Sequence, residues 1–143
     1  MSILVFLHIR DKKKLFEICS NYLQVGRCIT FEDYFVEGLL STDEKRILKE
    51  EVSSEELFTL EEYDEIMQEA GFRRVGFECL TKEYRKFVKD RHKAHKSWPF
   101  KKKIAKKAFD SLGHFKMIIN ELFNGEDTLG GLRGGRFVYQ KIA

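Results

Sequence analysis

The first apolar cluster of the chain is a nearly continuous run at residues 3–9, and a charged segment follows it directly. A run without alternation is typical of a parallel strand that is covered on both faces, so residues 3–9 are predicted to be an interior strand. In the next segment, "RDKKKLFEICSNYLQVG", Asp11 is a candidate N-cap and the apolar positions recur at helical spacing. Residues 28–34, "CITFEDY", are β-branched and aromatic and predict a second strand. A strand, a helix and a strand form a βαβ unit, so the two strands should be parallel.

The remaining pattern predicts further helices and two more strands. In "TLEEYDEIMQEAGF", Thr59 and Glu62 have the spacing of a capping box, and Gly71 follows the last apolar position. The segment "RRVGFECLT" predicts a third strand, and "LRGGRFVYQKIA" predicts the last one. Two helical stretches that break at Trp98-Pro99 lie between them. The expected architecture is α/β with about four strands.

Composition narrows the class of protein. A chain of 143 residues with 43% hydrophobic residues and 13 Phe is long enough for a single domain with its own core. It has no apolar run long enough to span a membrane and no secretory signal, so a cytoplasmic location is expected. Cys19, Cys28 and Cys79 show no CxxC spacing and are expected to be buried free thiols.

Charge is distributed unevenly along the chain. Residues 32–69 carry a net charge of −11, and residues 82–107 carry +10. Blocks of opposite sign can face each other or face charged partners. The stretch "KKKIAKK", next to Trp98 and Phe100, raises the hypothesis of nucleic-acid or anionic-membrane binding. Lysines on the outer face of an amphipathic helix more often form a solvated surface, so binding to nucleic acid is the less favoured interpretation.

The order of several motifs resembles one enzyme family. "LVFLHIRDKKKLFEICSNYLQVG" followed by "RCITFEDYF" resembles the fourth strand, helix and fifth strand of class I S-adenosylmethionine-dependent methyltransferases. "LFTLEEYDEIMQEAGFRRVGFECLT" is similar to the helix and sixth strand of that family, and the end of the chain to its antiparallel seventh strand. The resemblance is strongest to small-molecule N-methyltransferases that act on phosphoethanolamine or glycine-type amines. It implies a partial Rossmann-like methyltransferase sheet, with S-adenosylmethionine as cofactor and methyl transfer to a small molecule, most favourably at an amine nitrogen.

The cofactor loop of the family has no counterpart in this sequence. In the family, the Gly-rich loop and the acidic residue that binds the ribose precede the fourth strand, and no equivalent precedes Ile3. The glycines at 130–131 and 134–135 lie beside the last strand and cannot replace that loop. The resemblance therefore implies a single domain, residues 1–143, that equals the C-terminal half of a methyltransferase, with a helical insertion at 81–123. Such a chain should bind the cofactor poorly and be inactive when isolated.

The resemblance also assigns site residues. It places His8 and Asp11 near the methionine end of the cofactor, with His8 as polar contact or proton acceptor for the substrate. Asp33 is the expected substrate orienter, Glu32 could attract an ammonium group, and Tyr34 could offer its ring or hydroxyl. The alternative is structural: His8 satisfies backbone groups and Asp33 caps a turn.

Residues after the third strand extend these hypotheses. Tyr84 is a candidate substrate contact, as part of an aromatic lid or as an ordinary core residue. Arg133 and Arg136 could bind a substrate phosphate or lie at the surface. His92 and His95 are three positions apart, but no third ligand is evident and no metal site is predicted. A third hypothesis is a non-catalytic protein that binds a partner, or a second copy, through the exposed edge of its first strand.

Overall fold

The computed structural model describes residues 1–50, 52–54, 56–97 and 131–143. Within these ranges the strands are β1 (Ser2–Ile3), β2 (Cys28–Val36), β3 (Phe72–Cys79) and β4 (Leu132–Lys141). The α-helices are α1 (Lys12–Tyr22), α2 (Thr42–Glu50), α3 (Leu60–Glu69) and α4 (Thr81–Ser97), and a short 3₁₀ turn spans Phe6–His8.

The described strands form one mixed sheet in the order β1-β2-β4-β3. β1 is parallel to β2, whereas β4 lies between β2 and β3 and is antiparallel to both. The predicted α/β class, the parallel first pair and the antiparallel last strand are therefore confirmed. This order requires the chain to pass from β2 through two helices to the edge strand β3 before β4 fills the gap between them.

The prediction of an interior strand at residues 3–9 is wrong for most of its length. The strand ends after Ile3, and Leu4 takes a positive φ of 50° while its N–H donates to the carbonyl of Glu32. The chain then turns through the 3₁₀ segment instead of continuing along β2. Its apolar residues are used differently: Leu7 is buried, and the Phe6 ring lies 5.2 Å from that of Phe31. A continuous apolar run reports burial on several sides, which a packed turn satisfies as well as a strand does.

One face of the sheet is covered by α1 and α3 and is filled with aromatic rings. We call it the α1–α3 face. Alternation along β2 directs Phe31, Asp33 and Phe35 to this side, and all three are buried. The Phe31 ring stacks on that of Phe137 at 5.0 Å, and Tyr63 of α3 packs on Phe137 at 4.9 Å. This cluster is the main hydrophobic core of the described chain.

The opposite side, the α2–α4 face, carries a smaller hydrophobic core and the ion pair of Glu32 with Arg136. Ile47 and Leu48 of α2 pack with Leu132 at the start of β4. The beginning of α4 is fixed to the same strand, because the N–H of Gly134 donates to Thr81 Oγ1 and the N–H of Leu80 donates to the carbonyl of Gly134. This anchoring places the first turn of α4 directly over β4.

The predicted helix ends are largely confirmed. Asp11 caps α1 by accepting the N–H of Lys14 at 2.8 Å, and Thr59 and Glu62 form both bonds of the capping box. Gly71 has a φ of +83° just after α3. Gly26 also has a positive φ and lies in the turn before β2, because α1 ends at Tyr22.

Several expectations concern the cysteines and the region after β3. The three cysteines are free, as predicted, but Cys28 and Cys79 are exposed rather than buried. The predicted 81–123 insertion begins with α4, while Trp98 and the second helical stretch lie outside the described residues. The side chains of His92 and His95 are also outside them.

The described part of the chain contains neither a candidate membrane-spanning helix nor a candidate metal-binding cluster. None of its helices is long and apolar enough to cross a membrane. Likewise, no group of three or more potential metal ligands was found among those residues.

Candidate functional site

The carboxyl ends of β1 and β2 and the amino end of β4 lie at the same edge of the sheet. Open α/β sheets bind their ligands at this edge, so it is the first place to look for a site. The rings of Tyr34 and Tyr84 meet there in an edge-to-face pair, with centroids 6.0 Å apart. The Tyr84 hydroxyl donates to Glu32 Oε2 at 3.2 Å. Three predicted substrate-binding residues, Glu32, Tyr34 and Tyr84, are thus brought together on the α2–α4 face.

An arginine completes this group. Glu32, Arg136 and Glu78 are directly opposite one another on β2, β4 and β3. Nη2 and Nε of Arg136 donate to Glu32 Oε1 at 2.8 and 3.0 Å, and Nη1 donates to Glu78 Oε2 at 2.7 Å. The negative charge of Glu32 is therefore largely balanced by Arg136, which weakens its attraction for an ammonium ion. We call Glu32, Tyr34, Tyr84 and Arg136 the tyrosine–arginine site.

The two tyrosines of this site remain neutral phenols at physiological pH. Burial raises the pKa of Tyr34 to about 12, and the nearby charge of Asp33 acts in the same direction. Burial and the hydrogen bond to Glu32 raise the pKa of Tyr84 further. Their hydroxyl groups can therefore donate or accept hydrogen bonds, but they are poor bases.

Asp33 lies on the other side of the sheet from Tyr34. Its side chain is fully buried on the α1–α3 face, and Oδ2 accepts the hydroxyl of Tyr63 at 2.7 Å. Burial raises the pKa of this carboxyl, whereas Tyr63, the charge of Lys12 and the backbone N–H groups of Tyr34 and Leu7 oppose the rise. Asp33 and the tyrosine–arginine site therefore lie on opposite faces of the sheet. This position does not favour direct contact between Asp33 and a substrate bound at that site.

His8 and Asp11 are both exposed, one in the 3₁₀ turn and one at the start of α1. His8 is therefore presented by a turn, not by the end of a long strand as predicted. The carboxylate of Asp11 accepts the N–H of Lys14 and is used as a helix cap. Their cofactor-binding roles remain predictions.

Arg133 lies three residues before Arg136 on β4, and its side chain is 23% exposed. Its Nε donates to Glu37 Oε2 at 2.9 Å, so an acidic residue already engages the guanidinium. A phosphate would have to share or displace that carboxylate. The proposed substrate contact of Arg133 stays a prediction.

Sequence reasoning missed three residues that shape this region. Lys12 is 1% exposed although it lies in the first turn of a charged helix, and nothing in its local sequence signals burial. Tyr63 donates its hydroxyl to Asp33, and nothing in the local sequence signals this pairing. Gly134 faces the Tyr84 ring so closely that a Cβ atom would overlap it. The glycine pair at 134–135, unusual inside a strand, was the available signal for close approach.

Comparison with known proteins identifies the fold. No family profile and no curated protein sequence matches the chain. Among solved structures, it is similar to phosphoethanolamine N-methyltransferase 2 of Haemonchus contortus, with 20% identity and a TM-score of 0.77 over 99% of this chain and 32% of that chain. It is also similar to a sarcosine dimethylglycine methyltransferase described as putative, from Galdieria sulphuraria, with 18% identity and a TM-score of 0.66 over 98% of this chain and 51% of that one. The cyclopropane synthase MmaA2 of Mycobacterium tuberculosis matches at 15% identity and a TM-score of 0.77, over 97% of this chain and 53% of that chain.

The chain has a methyltransferase fold. The predicted partial Rossmann-like methyltransferase sheet is thereby confirmed, including its antiparallel last strand. The chain spans between about a third and a half of the length of these solved structures.

The described residues do not form a complete cradle for the cofactor seen with the Haemonchus enzymes, S-adenosylmethionine or S-adenosylhomocysteine. Such a cradle needs a strand-to-helix turn where glycine allows close approach. The turn between β1 and α1 contains no glycine and is packed with Phe6 and Leu7. Gly134 and Gly135 are already covered by aromatic rings.

Proposed function

We propose that this chain is the C-terminal, substrate-side half of an S-adenosylmethionine-dependent methyltransferase that acts on a small molecule, at an amine nitrogen. The observation that carries the proposal is the fold match over 99% of the chain to a phosphoethanolamine N-methyltransferase, including the antiparallel strand β4. The isolated chain is proposed to be inactive, because its described residues lack a cofactor cradle. Free thiols and the absence of a spanning helix among the described residues are compatible with the cytoplasmic location proposed here.

The tyrosine–arginine site supports an amine substrate. The ring of Tyr34 offers a π face to an ammonium group, and the hydroxyl of Tyr84 adds a hydrogen bond. His8 is exposed at the same edge of the sheet, where its imidazole can accept a proton from the amine. Arg133 would bind an anionic group of the substrate if that group displaced Glu37. The role of these residues is to bind and orient the amine and to remove its proton.

A non-catalytic role is the second candidate. In that case β1, whose second edge pairs with no strand in the described chain, would bind a protein partner or a second copy. Binding of nucleic acid by the basic residues of α4 is a weaker alternative.

Calorimetry with S-adenosylhomocysteine separates these proposals from an independently active chain. The isolated protein is expected to give no saturable heat at micromolar ligand, because no cradle is present. Micromolar affinity would contradict the proposed inactivity. Salt-sensitive binding of mixed-sequence RNA or DNA in the same preparation would instead favour the basic-helix alternative.

Activity is tested on the longest in-frame product that the transcript upstream of Met1 allows. Methyl transfer from labelled S-adenosylmethionine to phosphoethanolamine and sarcosine is expected, followed by mass spectrometry of the products. Tyr34→Ala should raise KM by about tenfold if the ring binds the ammonium group. Tyr22→Ala, which truncates an exposed tyrosine on α1, is the matched control and should leave KM unchanged. A product that neither binds the cofactor nor methylates any amine would refute the enzymatic proposal and leave the non-catalytic one.

A further inference from the structure

The hydroxyl of Tyr84 has a fixed direction, which is set by its bond to Glu32. Tyr84 lies in the first turn of α4, and its oxygen is 3.2 Å from Oε2 of Glu32 on β2. An ionised carboxylate only accepts hydrogen bonds, so the phenol must be the donor in this pair. The single proton of the hydroxyl is thereby committed to Glu32. The lone pairs of the Tyr84 oxygen are the part of the group that remains for a ligand.

Arg136 fixes the orientation of the Glu32 carboxylate. Its Nε and Nη2 both donate to Oε1 of Glu32, at 3.0 and 2.8 Å. The side chain of Glu32 is 12% exposed, so little water competes for its oxygens. A guanidinium carries five donors and no acceptor, so this end of the pair cannot reverse. Oε1 is therefore occupied by Arg136, and Oε2 is the oxygen that accepts from Tyr84.

The packing of the Tyr84 ring holds its oxygen at the tyrosine–arginine site. The ring lies directly against Gly134 of β4 and meets the Tyr34 ring edge-to-face, with centroids 6.0 Å apart. Thr81, in the same turn of α4, accepts the N–H of Gly134 at 3.1 Å. Among the described residues, Glu32 is the one hydrogen-bond partner of the Tyr84 hydroxyl. An aromatic ring and an acceptor oxygen therefore lie next to each other.

This arrangement matches a ligand that carries both N–H donors and a positive charge. A primary or secondary ammonium group donates to the lone pairs of a phenol, whereas a carboxylate or phosphate would need the proton that Glu32 already accepts. A quaternary ammonium group has the charge but no N–H, so it contacts only the aromatic ring. The direction of the Tyr84 hydroxyl thus distinguishes ammonium ions with N–H groups from quaternary ones and from anions.

We propose that Glu32 is a positioning residue, which acts through Tyr84 by holding the phenol as an acceptor for ammonium ligands with N–H groups. The inference deepens the proposed function, on which it rests for the identity of the amine as the substrate. In this role Glu32 does not bind the ammonium ion by its own charge, which Arg136 balances. The direction of the hydrogen bond requires neither cofactor nor methyl transfer and is measurable on the isolated chain.

Glu32→Gln tests the proposal because it reverses the hydroxyl while it preserves the size of the side chain. The donors of Arg136 require the carbonyl oxygen of the glutamine, so its NH₂ group faces Tyr84 and donates to the phenol. The phenol must then turn its own proton towards the site. Tyr84→Phe removes the hydroxyl altogether and is expected to have the same consequence for ligands with N–H groups.

Two probes separate hydrogen bonding from charge: methylammonium, which has N–H donors, and tetramethylammonium, which has none. NMR chemical-shift titration of the full 143-residue chain measures the Kd of each. In both variants the Kd of methylammonium is expected to rise about tenfold, as for the loss of a hydrogen bond to a charged group. The Kd of tetramethylammonium should change by less than about twofold, because its contact with the aromatic ring is retained.

Glu78→Gln is the matched control. Glu78 lies in the same cross-strand row and accepts from Nη1 of Arg136 at 2.7 Å, but it is not bonded to Tyr84. This substitution removes the same charge and should leave the Kd of methylammonium nearly unchanged.

Three results would overturn the inference. Equal weakening of both probes in Glu32→Gln would show that Glu32 attracts the ligand by its charge. An unchanged Kd of methylammonium in Glu32→Gln would show that the direction of the phenol has no effect on the ligand. Failure of methylammonium to bind the wild type would remove the acceptor site itself.

A double-variant cycle shows whether Glu32 acts through Tyr84. In the Tyr84→Phe background, Glu32→Gln should cause no further loss of methylammonium affinity, because the group that it directs is absent. Additive losses would contradict the proposal. Tyr84→Phe also keeps the test decisive if Glu32→Gln does not fold, since it removes a single oxygen atom. A wild-type Kd for methylammonium in Tyr84→Phe would overturn the inference by itself.

Kinetics on the longer product distinguish this inference from the proposed function. In an active product, Glu32→Gln should raise KM for phosphoethanolamine about tenfold with little change in kcat, and Glu78→Gln should not. Methyl transfer with an unchanged KM in Glu32→Gln would refute the positioning role and leave the function standing. Loss of methylammonium affinity in Glu32→Gln, without methyl transfer by any longer product, would refute the function and leave the positioning role.

Discussion

The two faces of this sheet are built from the same strands but use their residues for different purposes. On the α1–α3 face, Phe31, Tyr63 and Phe137 are completely buried and in mutual contact. On the α2–α4 face, Glu32 and Arg136 at the same level of the sheet are an ion pair that is partly open to solvent. Alternation along each strand sends neighbouring residues to opposite faces, so the core and the candidate site lie only one peptide apart.

The contrast indicates where stability and chemistry reside. Aromatic contacts in a closed core contribute free energy of folding but offer no group to a ligand. The polar groups of the α2–α4 face contribute less stability and remain available for recognition. Asp33 is the exception, a carboxyl group that is buried in the aromatic face and accepts the hydroxyl of Tyr63.

The largest expected effect tests the aromatic face. Phe137→Ala removes a ring that lies 5.0 Å from Phe31 and 4.9 Å from Tyr63, and it should lower the free energy of unfolding by about 3–5 kcal/mol. Urea unfolding followed by circular dichroism measures it. Tyr22→Ala, at an exposed tyrosine, should change stability by no more than about 0.5 kcal/mol. Similar losses in both variants would mean that the ring cluster is not the core described here.

A smaller effect is expected from overpacking the α2–α4 face. In Gly134→Ala the new methyl group would overlap the Tyr84 ring, which must move and lose its bond to Glu32. The expected loss is about 1–3 kcal/mol in the same unfolding assay.

Gly76→Ala is the matched control for that overlap. Its Cβ atom would lie 3.4 Å from Val138, an ordinary contact, so a loss well below that of Gly134→Ala is expected. Combining Gly134→Ala with Tyr84→Ala should recover part of the loss, because the clash is removed. No recovery would show that the strain lies elsewhere.

The smallest expected effect is a pH dependence of the free energy of unfolding that arises from the Asp33 carboxyl group. Burial raises the pKa of this carboxyl above its ordinary value of 3.8, so the folded chain retains the proton to higher pH than the unfolded chain. The free energy of unfolding contributed by Asp33 should therefore fall as pH rises from about 4 through the raised pKa of the folded state. Burial lowers the pKa of Lys12 below its ordinary value of 10.5. The contribution of Lys12 to the free energy of unfolding should therefore fall as pH decreases from 10.5 through the lowered pKa of the folded state.

Unfolding in urea between pH 4 and 7 compares the wild type with Asp33→Asn. The difference between their free energies should change with pH. Parallel curves for the wild type and Asp33→Asn would mean that the pKa of Asp33 is not raised by folding.

Much of the fold could be predicted because its signals are local. The capping box at Thr59 and Glu62 and the N-cap at Asp11 depend on spacings of three residues, which the sequence displays directly. The apolar run at residues 3–9 led to a wrong strand prediction. A segment that is buried on all sides shows no periodicity that distinguishes a strand from a packed turn. The placement of Asp33 was accessible in principle, since it lies two residues from both Phe31 and Phe35 on an alternating strand.

The candidate site was predicted only in part. Glu32, Tyr34 and Tyr84 were named from the resemblance, and the structure brings them together. The pairing of Glu32 with Arg136 spans 104 positions and depends on the register of β4 between its neighbours. No local pattern encodes that register, so the balance of charge at the site could not be anticipated.

By itself, the sequence determined the elements that depend on neighbouring residues: the capped helices, the alternating strands and the order in which they follow one another along the chain. The tertiary structure decided which side chains share a face, which charges compensate one another and where the apolar start of the chain turns away from the sheet. The reason is physical. Local structure depends on backbone geometry over a few residues, whereas the surroundings of a charge depend on distant segments that meet only when the core has formed.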